Sequence, residues 1–187
     1  DLILGHTGLV SFGHALYLGL GAYVVGILAH HGINSAFIQW PLAVLVCVLV
    51  AIPLGAIAIR TSGTFFIMIT LAFAQMAYFV GSSLYEYGGD DGMSIATRSQ
   101  FGGLIDLYNA AQLFFVVLAM LGLVTLLQYR IIGSHFGNVL RGIRINEPRM
   151  EAIGYNVFGY KLAAFVISAA VCGLAGVLLA NATEFAG

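Results

Sequence analysis

RIIGSHFGNVLRGIRINEPRMEAIGYNVFGYK, residues 130–161, is the stretch whose reading decides the fold. It carries five of the seven basic residues, Arg130, Arg141, Arg144, Arg149 and Lys161, with Glu147 and Glu151, in a chain that is otherwise strongly apolar. Sinking these charges to the centre of a bilayer would cost roughly 3 kcal/mol each, about 20 kcal/mol together. The stretch is therefore an aqueous connection between apolar segments.

The connection has structure of its own. Phe136, Val139, Leu140 and Ile143 recur at helical spacing while Arg141 and Arg144 fall on the other side, which predicts an amphipathic helix with Ser134 as its cap. Asn146-Glu147-Pro148 breaks that pattern, because proline lacks an N–H and disfavours helix at the residue before it. A second short helix is expected next, capped by Asn146, with Glu147 at its positive end, Met150 and Ile153 on one face and Gly154 as a left-handed stop. Asn156 then caps the following apolar run.

Outward from this loop, the composition is that of an integral membrane protein. Hydrophobic residues make up 60% of the chain and charged residues 8%, against about a quarter charged in soluble domains. The formal charge of −1 excludes little by itself, and its distribution gives no sign of nucleic-acid binding. Cys47 and Cys172 sit inside apolar runs and read as small core side chains rather than a disulfide.

The expected fold class is all-α: a polytopic helical membrane protein with about five membrane segments and a structured amphipathic loop. The segments fall at about 9–29, 41–59, 64–80, 110–128 and 162–180. The glycines at 5, 8 and 13 make the start of the first segment broken or re-entrant, and Gly19, Gly21 and Gly26 allow close helix approach. Trp40 reads as an interfacial anchor, Pro41 as part of a first helical turn, and Pro53 as a kink. The turn at 60–63 forces the third segment to return beside the second. Ala169, Gly173, Gly176 and Ala180 form a small-residue face on the last segment.

If every segment crosses once, Arg60 and the basic residues of 130–161 share one side, with Arg98 opposite. The positive-inside rule then makes 130–161 cytoplasmic and 81–109, with Glu86, Asp90, Asp91 and Asp106, external.

Much chemistry is missing from the sequence. It contains neither a phosphate-binding Gly-x-x-x-x-Gly-Lys-Ser/Thr run nor a zinc-binding His-Glu-x-x-His run, and its five histidines lack metal-ligand spacing. No metal, cofactor or catalytic residue is expected. No Asp, Glu, Lys or Arg lies deep in a segment, as a proton-coupled carrier would require. Ser11, His14, Thr70 and Gln75 are candidates either to line a polar path or to hydrogen-bond between helices. The turn Gly88-Gly89-Asp90-Asp91-Gly92 lacks the spaced ligands of a calcium loop and reads as a glycine-rich turn.

Phe136-Gly137-Asn138-Val139-Leu140-Arg141-Gly142-Ile143-Arg144, then Asn146-Glu147, then Glu151-Ala152-Ile153-Gly154-Tyr155-Asn156-Val157, form a longer signature. With Gly8-Leu9-Val10-Ser11-Phe12-Gly13-His14-Ala15, Gly19-Leu20-Gly21-Ala22-Tyr23, Ile69-Thr70-Leu71-Ala72-Phe73-Ala74-Gln75 and Tyr160-Lys161-Leu162, it covers the chain in order. Together these resemble the permease subunits of bacterial ABC importers for branched-chain amino acids, with urea permeases as close relatives.

The resemblance implies a single transmembrane permease domain in the bacterial inner membrane, incomplete at both ends in this sequence. It implies cytoplasmic ABC ATPase subunits, a second homologous permease subunit, an external substrate-binding protein and membrane lipid as partners. ATP hydrolysis would then belong to the separate ATPase. Arg144, Glu147, Arg149, Glu151, Ala152 and Gly154 become the candidate ATPase-coupling residues. Importer permeases carry a Glu-Ala-Ala motif with a downstream glycine; Glu151-Ala152-Ile153-Gly154 matches it in part. A permease for urea or another small solute, and a passive channel whose loop binds lipid, are the competing readings.

Overall fold

The computed structural model describes residues 2–84, 89, 92–95, 99 and 109–186. Its long elements are all helices, because apolar segments in lipid must satisfy their backbone groups internally. A π-helical turn, Leu2–Thr7, precedes α1 (His14–His30), α2 (Ala36–Ala58) and α3 (Thr64–Ser82). Then come α4 (Ala110–Gly133), α5 (His135–Ile145), α6 (Glu147–Ala152) and α7 (Val157–Thr183). The helices α2, α3, α4 and α7, of 23, 19, 24 and 27 residues, are long and apolar enough to cross a membrane, and α1 is shorter at 17. The chain is an all-α polytopic membrane protein.

The first segment starts broken, as its glycines imply: the π-turn ends before Gly8, at φ +73°, and the regular helix begins at His14. Two other local expectations are corrected. The second helix begins at Ala36, so Pro41 lies inside it rather than in its first turn. Residues 36–40 contain no breaker, and the Gln39 amide fastens this extra turn by donating to the Ile33 carbonyl at 2.7 Å. Ser134 stands between α4 and α5 but does not cap α5 through its side chain. Its hydroxyl donates back to the Ile131 carbonyl at 2.6 Å, closing the end of α4 instead.

The core is a three-helix seam in which α7 lies against α1 and α2. Its buried positions include Ala169, Gly173, Gly176, Val177 and Ala180, the small-residue face expected from the sequence. A Cβ on Gly21 would fall on the Gly173 carbonyl, one on Gly173 on the Cys47 sulfur, and one on Gly176 on the Leu18 carbonyl. Backbone meets backbone here. Tyr17, Cys47, Ala51, Phe66 and Phe165 fill the adjoining cluster, and Phe165 packs edge-on against Tyr17 and Phe66 at ring separations of 5.9 and 6.5 Å.

The two ends of the bundle are built differently. At one end, β1 (Met93–Ser94) pairs antiparallel with β2 (Phe185–Ala186), a small ladder the sequence did not announce. The Ile95 N–H donates to the Glu184 carbonyl at 2.8 Å, and the Ser99 N–H to Asn181 Oδ1 at 2.8 Å. The Ser99 hydroxyl donates to Gln39 Oε1, and all three of these polar side chains are buried. This cluster pins the segment around Ile95 and Ser99 over the ends of α2 and α7. The carboxylates of 81–109 and the Asp90-Asp91 turn lie outside the described residues.

At the other end, Arg144 of α5 donates to the Gly5 carbonyl, and its aliphatic stem lies beside Gly8. The start of α1 and the connection between α4 and α7 therefore share one end of the bundle.

Candidate functional site

The connection from α4 to α7 folds into an elbow with its own core. Val139, Leu140 and Ile143 of α5 bury against Val157 and Ala164 of α7, flanked by Ile131, Phe136, Met150 and Tyr160. Phe136 stacks on Tyr160 with ring centres 5.5 Å apart, and Tyr155 meets Tyr160 edge-on at 6.1 Å. Gly142 is a contact position: a Cβ there would sit 2.8 Å from the sulfur of Met150, so α6 lies directly on α5.

Two asparagines and a glycine set the corners. The Asn146 side chain accepts the Arg149 N–H at 3.1 Å, satisfying a donor that the start of α6 leaves open. Asn156 does the same for α7, accepting the Gly159 N–H at 3.1 Å. Between them Gly154 takes φ +98°, a conformation L side chains resist, and reverses the chain. The Glu147 carboxylate accepts a hydrogen bond from Lys161 Nζ at 2.6 Å, joining the first residue of α6 to the first turns of α7.

What the elbow presents outward is a six-residue helix with no buried residue. Arg149, Glu151, Ala152 and Gly154 are exposed. Ile145 is 85% exposed and Ile153 63%, two large apolar side chains on a charged surface. Met150 and Ile153, expected on one face, differ in their surroundings: Met150 packs on α5 and Ile153 is exposed. α6 ends at Ala152, so Ile153 is its C-cap and lies beyond the helical face that carries Met150. Ile145 is not among the residues the sequence singles out; its one signal is its place beyond Ile143, the last buried residue of α5. Arg144 is exposed yet engaged by the Gly5 carbonyl, and Glu147 by Lys161.

Three of the four polar candidates in the segments come together. His14 Nδ1 lies 3.1 Å from the Ser11 hydroxyl, which also accepts the Gly13 N–H at 3.3 Å. Thr70 is buried and donates to the Ile67 carbonyl at 2.9 Å, and its backbone abuts Gly13 so closely that a Cβ there would sit 2.9 Å from the Thr70 oxygen. His14 Nε2 is buried without a hydrogen-bond partner among the described residues, and its ring packs edge-on against Phe165 at 5.7 Å. The cavity between Gly13, Thr70 and Phe165 holds about 10 Å³, room for one water at most. Gln75 is exposed on α3 and stands apart from this group. Among the described residues, no three His, Cys, Asp or Glu side chains gather as metal ligands.

The whole chain, residues 1–187, matches the sequence profile of the permease component of the branched-chain amino acid transport system. The chain belongs to that family.

Individual permeases of the family match over nearly all of this chain. The high-affinity branched-chain amino acid transport system permease protein LivM of Salmonella typhimurium is 26% identical over 99% of this chain and 49% of its own length. The Escherichia coli protein of the same name is 24% identical over the same shares. The probable branched-chain amino acid transport permease protein LivM of Methanocaldococcus jannaschii is 26% identical over 95% of this chain and 61% of its own. The chain thus spans about half to three-fifths of the length of these relatives. No solved structure gives a significant match.

Proposed function

We propose that this chain is part of the transmembrane permease subunit of an ABC importer for branched-chain or related amino acids. It moves its substrate by alternating access driven by ATP hydrolysis on separate cytoplasmic ATPase subunits. A second homologous permease subunit completes the path, and an external binding protein delivers the substrate.

The observation that carries this reading is α6, a short helix with no buried residue, offered on a charged surface with Ile145 and Ile153 as apolar anchors. Apolar side chains left exposed among charges, on a connection outside the lipid, suit a contact with another protein. Arg149, Glu151, Ala152 and Gly154 surround the anchors and form the face that docks in an ATPase groove. Five crossings place this face in the cytoplasm, where its arginines belong. The shorter α1 counts as one of them, because its 17 residues extend about 26 Å and the preceding residues complete the passage. Ser11, His14 and Thr70 line the translocation path near its inner end, closed in this conformation, with Gln75 entering it only if α3 turns.

The full-length transporter, purified from native membranes with wild-type chain and with Glu151→Arg, Gly154→Pro, tests the reading. The wild type is expected to bring down an ATPase and a second permease that the variant loses. Wild-type recovery with lipid alone, combined with nucleotide-independent solute flux in vesicles, would replace the importer with a passive channel.

A further inference from the structure

Lys161 is 7% exposed, yet it is an ammonium near the base of an apolar helix. A buried charge is costly unless paired, and an apolar residue of the same length would pack there without that cost. The charge therefore supplies something that packing does not. Its partner is Glu147, across the Gly154 reversal and 14 residues earlier, on the first turn of α6. A six-residue helix is too short to hold its own direction. Capping by Asn146 starts α6, and the Met150 contact fixes its distance from α5. Only the Glu147–Lys161 pair, among the described contacts, ties it by charge to α7.

We infer that Lys161 is a positioning residue that latches α6 to α7, so that a displacement at the docking face moves α7 as a rigid lever. This rests on the importer reading above. The route onward is on the same helix. α7 meets α1 backbone to backbone through Gly21, Gly173 and Gly176, and meets α2 where Gly173 faces the Cys47 side chain; in this inference the three helices shift together. The block so moved includes His14 and Phe165, which pack ring to ring beside the closed cavity. Without the latch, the reversal at Gly154 is the flexible point, and the push is lost in bending.

The test uses the full-length transporter, reconstituted with its ATPase, second permease and binding protein, and reads substrate moved per ATP hydrolysed. Lys161→Met is expected to lower that ratio about tenfold while ATP hydrolysis persists, the scale of an energetic link along a coupling route. Lys161→Arg is expected to retain it. If Lys161→Met fails to assemble, Glu147→Leu with Lys161→Met, which removes the buried charge together with its partner, is read in its place. A wild-type ratio in the assembled Met variant, or in that double variant, overturns the latch. If the wild-type chain recruits no ATPase, the importer reading falls and the latch with it. If the wild type couples and Lys161→Met couples equally, the latch alone falls.

Discussion

The helices α4 and α7 are near equals in the sequence and opposites in the structure. Both are long, both carry an apolar stretch long enough to span, and the mean hydropathies of those stretches are almost the same. Yet α7 buries ten of its residues and α4 none among the described residues. Hydrophobicity cannot separate them, since lipid is as apolar as a protein core. Shape does: α7 presents Ala164, Ala169, Gly173, Gly176 and Ala180 along one side, where other backbones can approach, whereas α4 is studded with Leu118, Leu121, Leu123, Leu126 and Leu127. In a bilayer the inner helix is the one with small residues, because contact there is won by fit and not by exclusion of water.

The sharpest way to break this comparison is to give both helices the same change. Gly176→Leu drives a side chain into the Leu18 carbonyl, which is backbone and cannot swing aside. It is expected to destabilise the full-length protein by about 3 kcal/mol or more. A Cβ on Gly122 of α4 meets nothing within 4 Å among the described residues, and Gly122→Leu is expected to leave stability nearly unchanged. Thermal unfolding in detergent compares the two. Equal losses would mean that α4 also has a close neighbour.

The same contrast explains what the sequence revealed and what it did not. The small-residue face of α7, the caps at Asn146 and Asn156 and the reversal at Gly154 were legible because each is a local rule acting within a few residues. Ser11 and His14 stood out only as polar residues in an apolar run, for a path or for bonds between helices; their contact with each other, three residues apart, was not read from the sequence. What stayed hidden was long-range: the pairing of Glu147 with Lys161, of Arg144 with Gly5, and of Ser99 with Gln39 and Asn181, up to 139 residues apart. Ser134 misled because a serine at a junction serves either helix, and here its hydroxyl closes the one before it. Gln75 and Thr70 read alike in one segment, and only the packing of Gly13 against Thr70 tells them apart.

A smaller effect sharpens the comparison at the corner between the elbow and the inner helix. Asn156→Ala removes the side-chain acceptor for the Gly159 N–H, and a lost cap costs about 1 kcal/mol. The start of α7 should loosen while its deep seam stays closed. Hydrogen exchange of the amides near 157–161 is expected to rise, with those near Gly173 unaffected. Faster exchange along all of α7 would show that the seam depends on its cap and is less self-sufficient than the glycine contacts indicate.

The smallest effect is expected on the outer helix. Leu126 is exposed on α4, beside Leu121, Gly122 and Thr125 along a shallow groove formed by that helix alone. If lipid chains cover it, Leu126→Ala exchanges one apolar surface for another and leaves no cavity. The expected change is within about 0.5 kcal/mol, the range of surface substitutions. A buried leucine cut back to alanine costs about 2–5 kcal/mol, because the neighbours cannot collapse into the space. Unfolding of the full-length permease with this substitution therefore reads what lies against α4. A loss in the larger range would place a protein surface there, and would make α4 a second interior helix whose partner tolerates large side chains where α7 demands small ones.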